Sequence, residues 1–427
     1  MAIASTSKYP ISNKLLLGCL IGVFLEYFDY TLYGFSAPFI AHLFFPKENP
    51  ALAFILTWGI FSVSFLVRPF GAAIFGHFAD KIGRRSVLSL TIIMMSVATL
   101  ALGLLPTYQS IGNWAAILLL LCRIFQGLSV STEYTGASVY VLEFETKFKG
   151  LYSGIITSAS GYGVFAASLL VMLFNSAGAS HFFSAGLAWR MPFLIAGLLA
   201  ASLGVYLRRN LTETPIFIEL KAKQSILKQP VKVLLKSCLP LLLMTTFICS
   251  YVGTAIIGVE VYLPSYLQLH LNIGRDTALG LSTYTALLEA SCAILLGYCS
   301  DFLGRKKAMQ IAAILMIVLA VPAFKLLETK LIGNCYIAVS LLAIAVAAID
   351  GPIAAFLVES FPAAVRYTGV SLSYSLGLAM MGGLSPMLME WGQNHVKAVA
   401  FPAAFLIMTA CVMILILNLL PKQKNKL

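Results

Sequence analysis

Charge is scarce in this chain. Only 11% of its 427 residues are Asp, Glu, Lys or Arg, against about 25% in soluble domains. Such a composition excludes an ordinary soluble domain and leaves the membrane class. The eight cysteines (Cys19, Cys122, Cys238, Cys249, Cys292, Cys299, Cys335 and Cys411) mostly fall in apolar runs, and none forms Cys-x-x-Cys. They read as small buried side chains and exclude a disulfide framework and a zinc spacing. There is no Gly-x-x-x-x-Gly-Lys-Ser/Thr, so no phosphate loop. There is also no His-Glu-x-x-His or Gly-x-Ser-x-Gly, so no zinc-peptidase or serine-hydrolase chemistry is expected. Neither enzyme activity, metal nor cofactor is expected.

What is present is apolar length. Hydrophobic residues make up 59% of the chain, and mean hydropathy is +0.90. A helix needs about 20 apolar residues to cross a bilayer. Apolar runs place twelve spans near 15–44, 52–78, 86–106, 114–142, 150–174, 189–207, 239–269, 277–300, 308–327, 334–359, 367–391 and 398–420. The polar stretch 208–236 divides them into an N-terminal six-helix bundle, 1–207, and a C-terminal one, 237–427, with the linker between. The first apolar run lacks a small-residue cleavage site, so it reads as a span and not as a signal peptide.

The net charge of +12 is unevenly placed. With the N terminus inside, the opposite face holds only Lys47, Arg275, Lys325, Lys330 and Lys397 of the loop cations. The remaining loop cations, from Lys8 to Lys426, fall on the inner face. That bias orients a multi-pass chain with both termini cytoplasmic and makes a nucleic-acid partner unnecessary. The expected setting is the lipid bilayer of the inner membrane, with the chain as a monomer.

An internal repeat supports the division. Gly76-x-x-x-Asp80-x-x-Gly83-Arg84-Arg85 follows span 2, and Gly297-x-x-x-Asp301-x-x-Gly304-Arg305-Lys306 follows span 8. A weaker echo sets Glu143 and Lys149-Gly150 against Glu359, Arg366 and Gly369. Glycines permit tight turns, and a carboxylate can meet a helix N-terminus or an arginine. These turns are expected to gate one face, through Gly76, Asp80, Gly83, Arg84, Arg85, Asp301, Gly304, Arg305, Glu359 and Arg366. A plain membrane-anchoring role is the alternative.

The paired element resembles the signature of the major facilitator superfamily, and other segments resemble its metabolite:proton symporter branch. They are Glu26-Tyr27-Phe28-Asp29-Tyr30 with Tyr33-Gly34, Arg68-Pro69-x-Gly71, Arg123-Ile124-Phe125-Gln126-Gly127 with Glu133-Tyr134, Trp189-Arg190-x-Pro192-Phe193, Glu213-Thr214-Pro215-x-Phe217 and Glu359-x-Phe361-Pro362 through Gly369. The branch usually has Gly-Gly before the span 4 glutamate, where this chain has Ser131-Thr132. The chain stops soon after span 12, so osmotic gating through a long charged extension is not expected. The resemblance implies an all-α fold of two pseudo-symmetric six-helix bundles, and alternating-access transport.

Six carboxylates fall inside spans: Glu26, Asp29, Glu133, Glu260, Glu289 and Asp350. At about 2.5–3.5 kcal/mol each, lipid exposure of all six would cost on the order of 15–20 kcal/mol. They must therefore line a wet cavity, pair with arginine or hold protons. Glu26 and Asp29 share a helix face and would raise each other's pKa, which suits a proton site. Asp29, Glu26, Arg123 and Glu133 are the proton-coupling candidates. Tyr33, Arg68, Gln126, Tyr134, Glu260, Tyr262, Glu289 and Asp350 are the substrate-binding candidates, with Tyr266 completing an aromatic wall. Interhelical hydrogen bonding or packing is the plainer role for each. Gly258 and Pro264 suggest that the helix bearing Glu260 is bent. The C-terminal spans offer no interior Arg or Lys but three acids. A di- or tricarboxylate wants several arginines, so a zwitterion such as proline or betaine is favoured. An organic acid of the 2-oxoglutarate, citrate or shikimate type is the alternative, and a non-translocating sensor a remote one.

Overall fold

The computed structural model describes residues 11–420, except 47, 49, 146, 176–186, 188, 210 and 397–400. Among the loop cations, Lys8, Lys47, Lys397, Lys422, Lys424 and Lys426 lie outside the described residues. The described residues are almost all helical, as hydrocarbon demands: a backbone with no water must satisfy its own polar groups. The spans are α1 (Asn13–Phe44), α2 (Pro50–Ile82), α3 (Arg84–Leu104), α4 (Trp114–Phe144), α5 (Lys149–Asn175), α6 (Met191–Gly204), α7 (Leu239–Leu269), α8 (Arg275–Leu303), α9 (Arg305–Glu328), α10 (Ile332–Ser360), α11 (Ala363–His395) and α12 (Phe401–Leu419). Eleven are long and apolar enough to cross a bilayer, and α6 is shorter. Each matches an expected span within a few residues. The 208–236 stretch is more ordered than its polarity suggests, with short helices at Pro215–Ala222 and Pro230–Ser237.

Four spans are interrupted. In α4 the helix breaks after Val130 and restarts at Glu133, where Ser131-Thr132 stands. In α7 a wide π turn spans Ile257–Tyr262 and contains Glu260. Pro264 has no N–H to offer the Glu260 carbonyl four residues back. Ser282 Oγ of α8 donates to that carbonyl instead, at 3.0 Å. A second π turn, Leu378–Gly382, lies in α11, and a third, Ala200–Gly204, is the end of α6.

The two halves meet along two seams of like construction. In one, a methyl added at Gly150 of α5 would collide with the Gly297 carbonyl of α8. In the other, a Cβ at Gly76 of α2 would lie 2.9 Å from Thr368 Cα of α11. Small residues let membrane helices approach closely, and Gly76 and Gly297 are repeat partners. The seam glycines thus carry the duplication from sequence into packing.

Candidate functional site

A cavity lies between the halves. Glu26, Tyr27 and Tyr30 of α1 and Phe65 and Arg68 of α2 form one wall; Gly253, Ile256, Ile257, Glu260 and Val261 of α7 and Tyr374 and Leu378 of α11 form the other. Residues 26, 27 and 30 share a helix face, as do 65 and 68. Arg68 Nη1 stands 3.8 Å from Glu26 Oε1. Its guanidinium lies 4.7 Å from the Phe65 ring centre and 6.0 Å from that of Tyr30. Arg68 Nε is buried without a hydrogen-bond partner. Glu26 Oε2 accepts from the Tyr134 amide at 2.9 Å, a donor left free by the break in α4. The Tyr27 and Tyr374 hydroxyls meet at 3.2 Å across the cavity, and Tyr134 stacks behind Tyr374 at 5.0 Å.

A second, smaller cavity adjoins the first. Tyr27, Ile256 and Glu260 line both. Thr157 and Ser160 of α5, Glu289 of α8 and Asp350 of α10 complete its polar lining. Of the substrate-binding candidates, Arg68 and Glu260 line the first cavity, and Glu260, Glu289 and Asp350 the second.

The remaining candidates stand elsewhere. Asp29 accepts from Thr99 Oγ1 at 2.8 Å and from Gln126 Nε2 at 2.9 Å. Gln126 Oε1 accepts from Arg123 at 2.9 Å, and Arg123 also donates to Ser64 Oγ at 3.0 Å. Arg123 thus reaches Asp29 through Gln126. Glu26 and Asp29, expected to act as one pair, take different partners: Glu26 turns to Arg68 and the α4 break, Asp29 to α3 and α4. Glu133 accepts from Thr91 Oγ1 at 3.1 Å. Tyr33 lies under Arg123 at 4.3 Å, with its hydroxyl on the Thr57 carbonyl. Tyr33, Gln126 and Tyr134 line neither cavity. The aromatic wall expected from Tyr262 and Tyr266 is also corrected. Tyr262 donates to Glu390 at 3.1 Å, and Tyr266 packs on Phe324 and His270. The π turn widens α7 at Glu260, so only one side of that turn reaches the cavity. Arg190 donates to the Gly103 and Leu105 carbonyls at 2.8 and 2.7 Å, capping the end of α3 rather than awaiting a substrate.

Sequence reasoning missed Tyr27, Tyr30, Phe65 and Tyr374. The first two stand in the same α1 segment as Glu26, and helical spacing would have grouped them with it. Tyr374 carries no local signal, because only the fold of α11 brings it opposite Tyr27. Glu390, paired with His270 Nε2 at 3.0 Å, was also not singled out.

The repeated turns tie the two halves together on one face. Asp80 accepts from the Thr368 amide at 2.9 Å and Thr368 Oγ1 at 2.8 Å, at the start of α11. Asp301 accepts from the Gly150 and Leu151 amides at 2.9 and 3.0 Å, at the start of α5. Each carboxylate therefore sits on the positive end of a helix in the other half. Arg84 pairs with Asp80 at 3.3 Å and Glu143 at 3.4 Å. Arg305 pairs with Asp301 at 2.7 Å and Glu359 at 3.2 Å. Arg366 reaches Glu143 at 3.2 Å. Gly83 and Gly304 have φ of +118° and +83°. The first copy has an extra clamp: Glu213 accepts from the Arg84 amide at 3.0 Å and the Arg85 amide at 3.4 Å, and Thr214 donates to Glu143 at 2.6 Å. Burial pushes the Glu213 carboxyl above its ordinary pKa, and the amides and Arg84 offset that only in part.

The site can be set beside known proteins. A family model described as the Major Facilitator Superfamily matches residues 19–371. The proline/betaine transporter of Escherichia coli strain K12 is 32% identical over 422 residues, covering 94% of this chain and 81% of that protein. The glycine betaine/proline/ectoine/pipecolic acid transporter OusA of Dickeya dadantii is 32% identical, covering 97% and 84%. Among solved structures, the proton:xylose symporter XylE superposes with a TM-score of 0.76 at 15% identity, covering 95% of this chain and 94% of that one. The human organic anion transporter MFSD10 superposes at 0.71, with 15% identity and coverage of 96% and 100%. The structures share the fold, and the family model and the relatives place the sequence: this chain belongs to the major facilitator superfamily, as a multi-pass membrane transporter of small molecules and not an enzyme.

Proposed function

We propose that the protein is a proton-coupled symporter for a small zwitterion of the proline or betaine type, working by alternating access. The observation that carries the reading is the first cavity: one arginine with an unpartnered Nε, aromatic rings around it, and an acid on the facing helix. Arginine takes a carboxylate through two parallel hydrogen bonds. Tyr27, Tyr30, Phe65 and Tyr374 offer ring faces to a quaternary or secondary ammonium, and Glu260 supplies a negative charge beside it. A carboxylate arriving at Arg68 competes with Glu26, whose own charge then wants a proton. Glu26 is the one N-terminal coupling candidate that lines the cavity. Asp29, Arg123 and Glu133 act from behind it, through Gln126 and the α4 break.

The organic-acid alternative loses ground, because Arg123 and Arg190 are committed elsewhere and Arg68 stands alone in the cavity. The names of the relatives, which include proline and betaine carriers, favour the same side. The two moving bodies are taken as 1–207 and 237–427, with 208–236 between them. The latched face is taken as cytoplasmic, with both termini on it, in the inner membrane, and the carrier as a monomer. One proton crossing ~150 mV supplies about 3.5 kcal/mol, enough for a gradient of a few hundred-fold.

Proteoliposomes with an imposed pH gradient test this. Labelled glycine betaine or proline should accumulate inside alkaline vesicles, and citrate or 2-oxoglutarate should not. The reverse pattern would sink the substrate reading. Accumulation left intact by Asp29→Asn would remove that residue from coupling.

A further inference from the structure

Glu260, Glu289 and Asp350 come from three helices of the C-terminal half and meet at the second cavity. Glu289 and Asp350 are each 5% exposed, and Glu289 Oε2 and Asp350 Oδ1 are buried with no hydrogen-bond partner. No lysine or arginine is among the residues lining this cavity. The titratable groups facing the two acids are Tyr27 from α1, Tyr134 from α4, Cys249 and Glu260 from α7, Cys292 from α8 and Tyr374 from α11. None of them is a cation. Buried carboxylates without a counter-charge cost several kcal/mol each. The Glu260 and Glu289 carboxyl groups are also neighbours that interact directly. Two adjacent buried carboxylates repel when both are ionised, and a proton on one of them removes that cost.

We propose that Glu260, Glu289 and Asp350 form a proton-binding site, separate from the Asp29 network and facing the solute through Glu260. A proton joins a carboxylate oxygen from water on one side of the membrane. It stays while the loaded carrier turns, and returns to water on the other side, with no other bond made or broken. Glu260 lines both cavities, so a proton held on Glu289 or Asp350 leaves Glu260 as the carboxylate that meets a solute ammonium. The inference rests on the proton-coupled reading above and adds a second proton-binding group in the opposite half.

Reconstituted wild-type protein and the Glu289→Gln/Asp350→Asn double variant provide the test, with labelled glycine betaine as the probe. The double variant should lose accumulation driven by a pH gradient while still exchanging labelled for unlabelled betaine, and that exchange should lose its pH dependence. Wild-type-like accumulation by the variant would overturn the site. So would wild-type accumulation that follows a sodium gradient and ignores pH, since the acids would then hold a metal cation. A second readout needs no solute and so separates this proposal from the substrate reading. Infrared difference spectra between acid and alkaline pH should show a protonated-carboxyl band in the wild type that shrinks in Glu289→Gln. An unchanged band overturns the site even if betaine is transported. A lost band upholds it even if betaine is not.

Discussion

Asp301 reaches across the seam between the halves to the first turn of α5, where the Gly150 amide donates to it at 2.9 Å. Asp80 does the same in the other direction, to Thr368 at the start of α11. The duplication therefore produces a reciprocal lock: each half supplies a carboxylate and each supplies a helix end. Arg84 and Arg305 hold the two carboxylates in place from behind.

Neutralising either carboxylate should loosen that lock. Hydrogen bonds to a charged group contribute about 1.5–3 kcal/mol, so Asp80→Asn or Asp301→Asn should move the population toward opening of this face by about tenfold or more. Accessibility of a cysteine placed on the inner surface of α11, measured with a membrane-impermeant reagent, reads the shift. Equal labelling in wild type and both variants would show that the turns only anchor the helices.

The two repeat glycines should not tolerate alanine equally. Both sit in a backbone region that is essentially glycine-only, with a cost of order 1–3 kcal/mol for other residues. At Gly304 a new Cβ meets nothing within 4 Å, whereas at Gly83 it runs into the Glu213 carboxylate. Gly83→Ala should therefore lower the melting temperature in detergent more than Gly304→Ala. It should also free the Leu211–Phe217 segment to proteolysis, which Gly304→Ala should not. The reverse order would mean that the linker clamp contributes nothing.

Glu213 gives a pH signature. Its carboxyl is raised in the folded protein because burial outweighs the amides that bond it. Between the unfolded and folded pKa values the native state binds more protons, so this residue's contribution to stability falls as pH rises through that window. The wild type should therefore gain more than Glu213→Gln on acidification to just above the ordinary glutamate pKa of about 4.3. Matched melting curves across pH, read as the difference between the two proteins, check the sign. A difference that grows in the opposite direction would mean that the amide bonds to Glu213 dominate its burial.

Most of the architecture was legible because hydrocarbon leaves the chain few options. Runs of apolar residues gave the spans, and α7 spans the expected residues, Leu239–Leu269. The Gly-x-x-x-Asp repeat pointed to the carboxylate contacts at helix ends, since its residue types and spacing state their chemistry locally. The cavity was less legible. Arg68 and Glu260 stood out as charges in apolar surroundings, yet Tyr374 looks like any aromatic in a span. Tyr262 was misplaced because a π turn changes which side of a helix a residue faces, and the sequence gives no period for it. Asp29 and Glu26 looked like one unit because they are near each other along α1; what separates them is the side chains of three other helices.

Arg68 and Arg123 supply the sharpest contrast. Both are buried arginines of the N-terminal half against aromatic rings, and the sequence reading set Arg123 with the proton-coupling candidates and Arg68 with the substrate-binding ones. Arg123 donates to Gln126 and Ser64 and so secures the group that holds Asp29. Among the described residues, Arg68 has only the 3.8 Å approach to Glu26 as an ion pair, and its Nε is unpartnered. Arg123→Leu strips a buried acid network of its cation, a loss of about 3–5 kcal/mol, and should lower the melting temperature strongly with or without solute. Arg68→Lys keeps the charge but cannot form the two parallel bonds. It should leave the melting temperature near wild type while raising the KM for betaine uptake about tenfold or more, for a loss of about 1.5–3 kcal/mol of charged hydrogen bonding. Thermal shift and uptake kinetics on the two variants separate the roles. If Arg68→Lys kept the wild-type KM, or Arg123→Leu raised the KM without touching stability, the carboxylate would have to dock on the other arginine.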